Sequence, residues 1–171
     1  MKRYILLFLS VLLVSCADSH QIMKTSTSTA KLEKTASAYI SVPRDGPYGH
    51  INYTGSGATT AQIMLLAFSR YLNRVETGNT YQSYDDALNY AKENNFAYLV
   101  FPSILAWEDR ATEWSGLPDK VAVKILVVRV SNGTTLDAAI IKGKSGLATF
   151  GGDHPQDLLT KPVDKYVKSL F

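Results

Sequence analysis

Apolar and polar positions follow two periods between residues 36 and 171, and each period predicts a different kind of element. Alternation with a period of two, or a nearly unbroken apolar run, is typical of strands, and spacing of i, i+3, i+4 and i+7 is typical of amphipathic helices. Strands are predicted over 37–42, 74–76, 96–107, 120–130 and 135–144. Helices are predicted over 55–73, 84–95 and 157–171. Both element types occur within one stretch of about 135 residues, a size typical of a single domain.

Turn and helix-breaking residues set the boundaries between these elements. Pro43 stops the first strand, and Asn132-Gly133 is a strong signal for a hairpin between the last two strands. Thr160 and Pro162 interrupt the last helical pattern, which predicts a broken helix that restarts there. The order β-α-β-α-β-β-β-α predicts an α/β fold with a single mixed sheet. We expect parallel strands first, then an antiparallel hairpin and a closing helix.

A short apolar run at the N-terminus has the organisation of a secretory signal. Two basic residues precede Tyr4–Val14, a run of about 11 residues that is too short to span a bilayer. The sequence Leu13-Val14-Ser15-Cys16 resembles the lipobox of bacterial lipoproteins. The resemblance implies that residues 1–15 are a signal peptide, and that Cys16 is diacylated through its sulfur and begins the mature chain. The alternatives are an ordinary cleaved signal with a chance cysteine, and a buried free thiol.

The residues after Cys16 bear on the location and organisation of the mature protein. In the resemblance to enterobacterial lipoproteins, an acid directly after the cysteine implies retention in the inner membrane, but here Ala17 precedes Asp18. This favours the periplasmic face of the outer membrane, with the N-terminal lipid as the membrane contact. Residues 16–35 are rich in serine, threonine and lysine, so we expect a flexible tether after the lipidated cysteine. Residues 36–171 then form the single α/β domain.

Net charge and cysteine content narrow the range of functions. The full chain carries 18 Lys and Arg against 15 Asp and Glu, a net charge of +3. Removal of residues 1–15 takes away two basic residues and leaves 16 against 15, or +1. The near-neutral charge and the lack of a basic run argue against a nucleic-acid partner. Cys16 is the only cysteine, so we expect no disulfide, and no cofactor motif or metal-ligand spacing is found in the sequence.

Three predicted loops are expected to meet at one edge of the sheet. If the first and third predicted strands are parallel, their carboxyl ends share an edge, and the hairpin returns the last strand to it. The loops at 44–45, 108–119 and 150–154 then carry the candidate binding surface. Its residues are Arg44, Asp45, Glu108, Asp109, Arg110, Glu113, Trp114, Asp153 and His154. Tryptophan and arginine are enriched in binding hot spots, so the set favours recognition of an envelope protein partner.

Each group of candidate residues also has an alternative interpretation. The charges would form local ion pairs that fix a long loop, with Trp107 packed in the core. Glu108, Asp109 and Glu113 would instead supply the paired carboxylates of a periplasmic glycan hydrolase, which is the competing function. Asp153-His154-Pro155 resembles a helix start with Asp153 as N-cap, and no partner at metal-ligand spacing accompanies the histidine.

Glycines at the start of the first predicted helix allow two roles. Gly55-Ser56-Gly57 would bind an anion at the helix N-terminus, because the first backbone N–H groups of a helix lack partners within it. Alternatively, the glycines only let the chain turn. The sequence leaves both interpretations open.

Five segments together carry a family resemblance over nearly the whole mature domain. They are Val42-Pro43-Arg44-Asp45-Gly46, Gly55-Ser56-Gly57, Tyr98–Ile104, Trp107–Gly116 and Ala148–Pro155. With them the chain resembles an uncharacterised family of Gram-negative envelope lipoproteins, a domain of unknown function. The resemblance implies an envelope location and a fold, but no activity. The element order is also similar to the N-terminal domain of the Tol-Pal propeller protein and to the core of curli-export lipoproteins.

These observations predict a lipid-anchored, non-enzymatic protein that binds or scaffolds within an envelope assembly.

Overall fold

A computed structural model of the chain describes residues 18–27, 31–110, 117–146 and 154–171. Within them lie eight strands and three helices. The elements are β1 Ser19–Thr27, β2 Ser37–Val42, β3 Gly46–Tyr48, β4 Ile51–Tyr53, α1 Ser56–Phe68, β5 Arg74–Tyr81, α2 Tyr84–Glu93, β6 Tyr98–Glu108, β7 Lys120–Arg129, β8 Thr134–Lys144 and α3 Asp157–Lys168.

Six of the strands form one mixed sheet in the order β1-β8-β7-β6-β2-β5. The strand β2 is parallel to both of its neighbours, β5 and β6, whereas β6, β7, β8 and β1 pair antiparallel in succession. The short strands β3 and β4 form a separate two-stranded ribbon. The prediction of an α/β fold with a mixed sheet and a closing helix is therefore confirmed.

The closing helix differs from its prediction in two respects. It is continuous from Asp157 to Lys168 with Pro162 inside it, rather than broken at that residue. Its N-cap residue is Gln156, so the prediction of Asp153 as the N-cap is wrong. The carboxylate of Asp157 accepts a hydrogen bond from the backbone N–H of His154 at 3.0 Å, which satisfies a donor before the first turn.

The strand β1 lies where we expected a flexible tether, and that expectation is wrong for Ser19–Thr27. The strand pairs with β8 from Ser19 opposite Lys144 to Thr27 opposite Asp137. Its order comes from backbone pairing along β8 rather than from a strong apolar pattern, because only Ile22 and Met23 are large apolar residues here. The later part of the same segment also packs on the domain, where Leu32 is buried and its backbone N–H donates to Leu170.

The main core lies between one face of the sheet and the helices α1 and α3. Its largest fully buried side chains include Phe68, Met64, Ile125, Ile141 and Tyr166. A smaller cluster on the opposite face lies under α2 and contains Tyr39, Ala87, Phe96, Leu99 and Val128. Helices on both faces bury β2 and the start of β6, which explains the nearly continuous burial of Ala38–Val42 and of Tyr98–Val100.

The second face is covered only in part, because α2 packs against β6 and β2. Towards β8 and β1 the same face presents half-buried or exposed side chains. In the residues that the structure describes, no helix is long and apolar enough to cross a membrane.

Candidate functional site

The strand directions bring the loop after β2, the two described ends of the loop between β6 and β7, and the end of β8 to one edge of the sheet. The carboxyl ends of β2, β6 and β8 and the amino ends of β7 and β1 all lie there. We call this side the loop edge. It carries residues 43–45 after β2, 109–110 after β6, 117–119 before β7 and 145–146 after β8. This register brings residues 44–45 and the described ends of the 108–119 loop to the same edge, whereas residues 150–153 of the third predicted loop lie outside the described residues.

An arginine held between an acid and an aromatic ring forms the centre of the loop edge. A guanidinium nitrogen of Arg110 lies 2.7 Å from a carboxylate oxygen of Glu108, and the guanidinium carbon lies 4.5 Å from the centre of the Tyr48 ring. The guanidinium also donates a hydrogen bond to the Tyr48 hydroxyl. The Nζ of Lys120 lies 3.6 Å from the same Glu108 oxygen. Both members of the Glu108–Arg110 pair are mostly buried, so water screens this pair less than a surface pair.

The buried Asp119 closes the long loop that separates β6 from β7. One of its carboxylate oxygens accepts a hydrogen bond from the backbone N–H of Arg110 at 2.6 Å. Its own backbone exchanges two hydrogen bonds with Ser145, at 2.8 Å to the side-chain hydroxyl and 3.0 Å from the backbone N–H. Asp119 therefore holds the two ends of the loop together and fastens them to the end of β8.

Asp109 and His154 meet on the outer side of the same edge. The imidazole Nδ1 of His154 lies 3.6 Å from a carboxylate oxygen of Asp109, and both side chains are open to solvent. The hydroxyl of Tyr53 donates to the backbone carbonyl of Asp109 at 3.1 Å. The ribbon β3–β4 thus holds this segment through Tyr53 as well as through Tyr48. We call Tyr48, Tyr53, Glu108, Asp109, Arg110, Asp119 and His154 the edge cluster.

Asp45 performs a structural task at the start of α1. Its carboxylate accepts a hydrogen bond from the backbone N–H of Gly57 at 2.8 Å, and the N–H of Gly46 donates to the Ser56 hydroxyl at 2.8 Å. A Cβ at Gly57 would lie 2.3 Å from the Pro43 carbonyl oxygen, so glycine is needed for this close approach. Asp45 therefore supplies from within the chain the negative charge that we had considered for an external anion at this helix end.

Arg44 lies at the loop edge but turns towards the outermost parallel strand. Its guanidinium carbon is 4.6 Å from the centre of the Tyr81 ring at the end of β5. The structure therefore unites Glu108, Asp109, Arg110 and His154, and it places Arg44 and Asp45 in separate contacts.

The aromatic side chains of the edge cluster are two tyrosines that the sequence prediction did not include. Trp107 is buried in the main core, as its alternative interpretation held. Tyr48 and Tyr53 belong to the edge cluster, and the sequence prediction missed them because the two strands that carry them have only three residues each, too few to show a period. The usable signal was a tyrosine in each arm of a short hairpin around Gly49-His50.

Four of the predicted functional residues lie outside the described residues. They are Cys16, Glu113, Trp114 and Asp153. The lipidation of Cys16 and the place of the other three in the binding surface stay predictions.

Beside the edge cluster is a depression of about 480 Å³ between β4, the start of α1 and the residue before α3. Its lining is largely polar and includes Asn52, Thr54, Thr59, Asp109 and Gln156. These groups suit hydrogen bonds to a polar ligand. Across residues 18–27, 31–110, 117–146 and 154–171, no three His, Cys, Asp or Glu side chains are grouped closely enough to hold a metal ion.

Solved structures with the same fold come from several bacteria. The PelC dodecamer from Paraburkholderia phytofirmans gives a TM-score of 0.70 at 14% identity and covers 89% of this chain and 97% of that chain. Protein XCC0632 from Xanthomonas campestris gives 0.53 at 12% identity, with 85% and 90% covered. Lipoprotein GNA1162 from Neisseria meningitidis gives 0.52 at 12% identity, with 78% and 96% covered. At these identities the likeness shows the fold alone.

A family model described as Domain of unknown function (DUF4823) matches residues 30–170. Among curated proteins, no sequence matches this chain.

Proposed function

Because this chain belongs to the DUF4823 family, a domain of unknown function, we propose a role from its own geometry. The protein is a lipoprotein of the cell envelope that binds a partner protein through its loop edge and catalyses no reaction. Cys16 carries the lipid, and the domain lies on the periplasmic face of the outer membrane. The likeness in fold to a protein named as a lipoprotein supports the envelope assignment.

The observation that carries this proposal is the fixed pairing within the edge cluster. Glu108 faces two cations, Arg110 and Lys120, and the arginine is held against the ring of Tyr48. The general acid of a glycosidase must reach the scissile bond of the sugar, whereas the Glu108 carboxylate is mostly buried and in ion pairs within the chain. A rigid arginine beside tyrosines is the composition of a recognition surface.

The oligomeric state of one protein with the same fold supports a scaffold role. PelC, which has the same fold, is a dodecamer in its crystals. A fold that closes into such an assembly offers edges that contact other chains, so we include self-association among the forms that a scaffold role takes here.

A periplasmic hydrolase is the second candidate, and one observation favours it. Asp109 lies on the wall of the polar depression, where a sugar hydroxyl would find hydrogen-bonding groups. Glu113, the other acid proposed for that role, lies outside the described residues.

Site-specific photo-crosslinking in living cells distinguishes the candidates. A photoreactive amino acid at position 109 lies at the loop edge, and the same probe at exposed Lys92 on α2 lies at the opposite end of the sheet. We expect one discrete protein adduct from position 109 that is missing from position 92. The same adduct from both positions, or none from position 109, would contradict the binding surface.

A matched substitution tests the enzyme candidate directly. Purified full-length protein incubated with peptidoglycan or periplasmic glucans is expected to release no fragments. Release by the wild type that disappears in Asp109→Asn, with unchanged thermal unfolding, would replace the binding proposal with the hydrolase.

A further inference from the structure

The pairing of β1 determines at which end of the sheet the chain from the lipidated Cys16 joins the domain. Ser19 is opposite Lys144, which in turn is opposite Lys120, so the first residue of β1 lies at the loop edge. Cys16 is three residues before Ser19, and three extended residues reach about 10 Å. A lipid on Cys16 would therefore hold the bilayer surface within about one Debye length of the loop edge.

Lysines collect on the uncovered sheet face at that same end. Lys120, Lys124, Lys142 and Lys144 occupy alternate positions of β7 and β8, on the face opposite α1 and α3. We call these four residues the lysine face. Lys142 and Lys144 are exposed, and neither has a carboxylate within ion-pair distance among the residues that the structure describes. A shallow depression of about 670 Å³ runs across this face.

Five described carboxylates lie at this end, and most have partners within the chain. Asp45 and Asp119 accept hydrogen bonds from the backbone N–H groups of Gly57 and Arg110. Glu108 is paired with Arg110 and Lys120, and Asp18 accepts a hydrogen bond from the backbone N–H of Gly146 at 3.2 Å. Asp109 lies near His154 on the outer side of the edge. The uncompensated charge of the lysine face is therefore positive.

Exposed aliphatic side chains lie beside the lysines. Leu105 borders the lysine face and is 51% exposed, and Leu117 before β7 is 53% exposed. Ile51 at the tip of the ribbon is 57% exposed and pairs with Tyr48, which contacts Arg110 at the loop edge. Lysines next to exposed aliphatic groups form the composition that binds the interface of an anionic bilayer.

We propose that the loop edge and the lysine face dock onto the anionic phospholipid surface in which the Cys16 lipid is anchored. This inference rests on the lipid anchor of the proposed function. The domain is then tilted onto the membrane, with the loop edge and the lysine face towards the bilayer and the Asn132-Gly133 hairpin farther away, and the edge cluster meets its partner at the membrane surface. The geometry that supports this docking is the coincidence of anchor, lysines and aliphatic residues at one end of the sheet.

Fluorescence quenching by brominated lipid tests the docking on the full lipidated protein in vesicles. Acylation leaves the Cys16 sulfur unavailable, so a fluorophore can be attached to a single introduced cysteine, Gln21→Cys on the docking side or Asn132→Cys at the far hairpin. In vesicles of phosphatidylcholine with phosphatidylglycerol, we expect strong quenching at position 21 and little at position 132. Equal quenching at the two positions would overturn the proposal.

A pair of charge reversals tests the role of the lysines. Each lysine near an anionic surface contributes about a fivefold factor to association, so Lys142→Glu with Lys144→Glu should lower the docked-to-undocked ratio by more than 25-fold. The control pair, Lys34→Glu with Lys92→Glu, makes the same change in net charge away from the loop edge and should leave quenching at position 21 unchanged. Equal effects of the two pairs would overturn the proposal.

Flotation separates failure of the anchor from failure of the docking. Lipidated protein floats with neutral vesicles in high salt, where electrostatic attraction is screened. A protein that fails to float has no anchor, which overturns both the anchor and the docking. A protein that floats but shows no difference between positions 21 and 132 keeps its anchor and overturns the docking alone, which would leave the lysine face to an acidic protein.

Discussion

A buried polar triad connects β1, β8 and α3. Asp137 is almost fully buried and accepts a hydrogen bond from the Tyr166 hydroxyl at 2.8 Å, and Lys24 of the edge strand lies 3.3 Å from its other oxygen. Burial of a carboxylate without partners would cost several kcal/mol of folding free energy, so the contacts with Tyr166 and Lys24 are needed to offset the burial of Asp137. The triad also fixes the position of β1, which the apolar pattern of that strand alone does not.

Tyr166 is expected to make stability fall at alkaline pH. Burial, reinforced by the charge of Asp137, raises the pKa of Tyr166 far above its ordinary value of about 10. Below about pH 10 the Tyr166 hydroxyl holds its proton in both the folded and the unfolded chain. Between about pH 10 and the raised pKa of the folded state, only the unfolded chain releases this proton. The free energy of unfolding should therefore fall by about 1.4 kcal/mol per pH unit for this group above pH 10.

Urea unfolding between pH 8 and 11 measures this effect by comparing the wild type with Tyr166→Phe. At pH 8 the free energy of unfolding of the variant should be lower by about 1–3 kcal/mol, because phenylalanine lacks the hydroxyl that donates to Asp137. Above pH 10 its free energy of unfolding should fall less steeply than that of the wild type. Burial also raises the pKa of Tyr39, so Tyr39→Phe reports the background from a second tyrosine. Parallel curves for the wild type and Tyr166→Phe above pH 10 would contradict the assignment.

Ser145 is expected to stabilise the closure of the long loop. Its hydroxyl accepts the backbone N–H of Asp119 at 2.8 Å in a buried position, so Ser145→Ala leaves that donor without its partner. The loss should be about 1–3 kcal/mol in urea unfolding. Ser131→Ala, at an exposed turn, is the matched control and should change stability by less than about 0.5 kcal/mol. A Ser145→Ala variant as stable as the control would show that Asp119 does not depend on this bond.

The elements with a strong apolar period were predictable, and the elements without one were not. The strands β6, β7 and β8 and the helices α1 and α2 follow from periods that the packing of the core enforces. β1 escaped prediction because its order comes from backbone pairing with a partner more than 100 residues away. The ribbon β3–β4 escaped because each strand has three residues, too few to show a period.

Hydrogen exchange distinguishes a paired β1 from a tether. Amides of β1 that bond to β8 should exchange much more slowly than amides of an unstructured chain, because exchange requires the strand to detach. We expect the protection to fall in Lys24→Met, which removes the contact with Asp137, while β7 in the centre of the sheet stays protected. Complete exchange of residues 19–27 within the dead time of the measurement would restore the tether.

At the scale of the whole molecule, the position of the candidate site on the sheet was easier to predict from the sequence than the contacts between its residues. The loop edge follows from the order of elements, since parallel strands joined by crossovers bring their carboxyl ends to one side. Which residues touch there does not follow. Arg110 stacks on Tyr48, and Asp45 accepts a hydrogen bond from the backbone N–H of Gly57. Both contacts depend on how the ribbon and its flanking residues pack on the sheet, and no local sequence pattern encodes that packing. The lysine face was hidden because its four members lie on two strands, separated in sequence by the hairpin.

A longer connection between anchor and sheet is expected to release the domain from the membrane. Twelve Gly and Ser residues inserted between Ala17 and Asp18 add a coil with a root-mean-square length of about 20 Å and leave β1 intact. In neutral vesicles only the short connection holds the loop edge near the bilayer, so quenching at position 21 should fall to the level at position 132. In anionic vesicles part of the quenching should persist, because the lysine face still favours the surface at the lower effective concentration that the spacer allows.

The same insertion in the Asn132-Gly133 hairpin is the control and should leave quenching at position 21 unchanged. Thermal unfolding should show that both proteins keep the fold. Undiminished quenching in neutral vesicles would mean that something other than the short path from Cys16 to Ser19 sets the orientation of the domain.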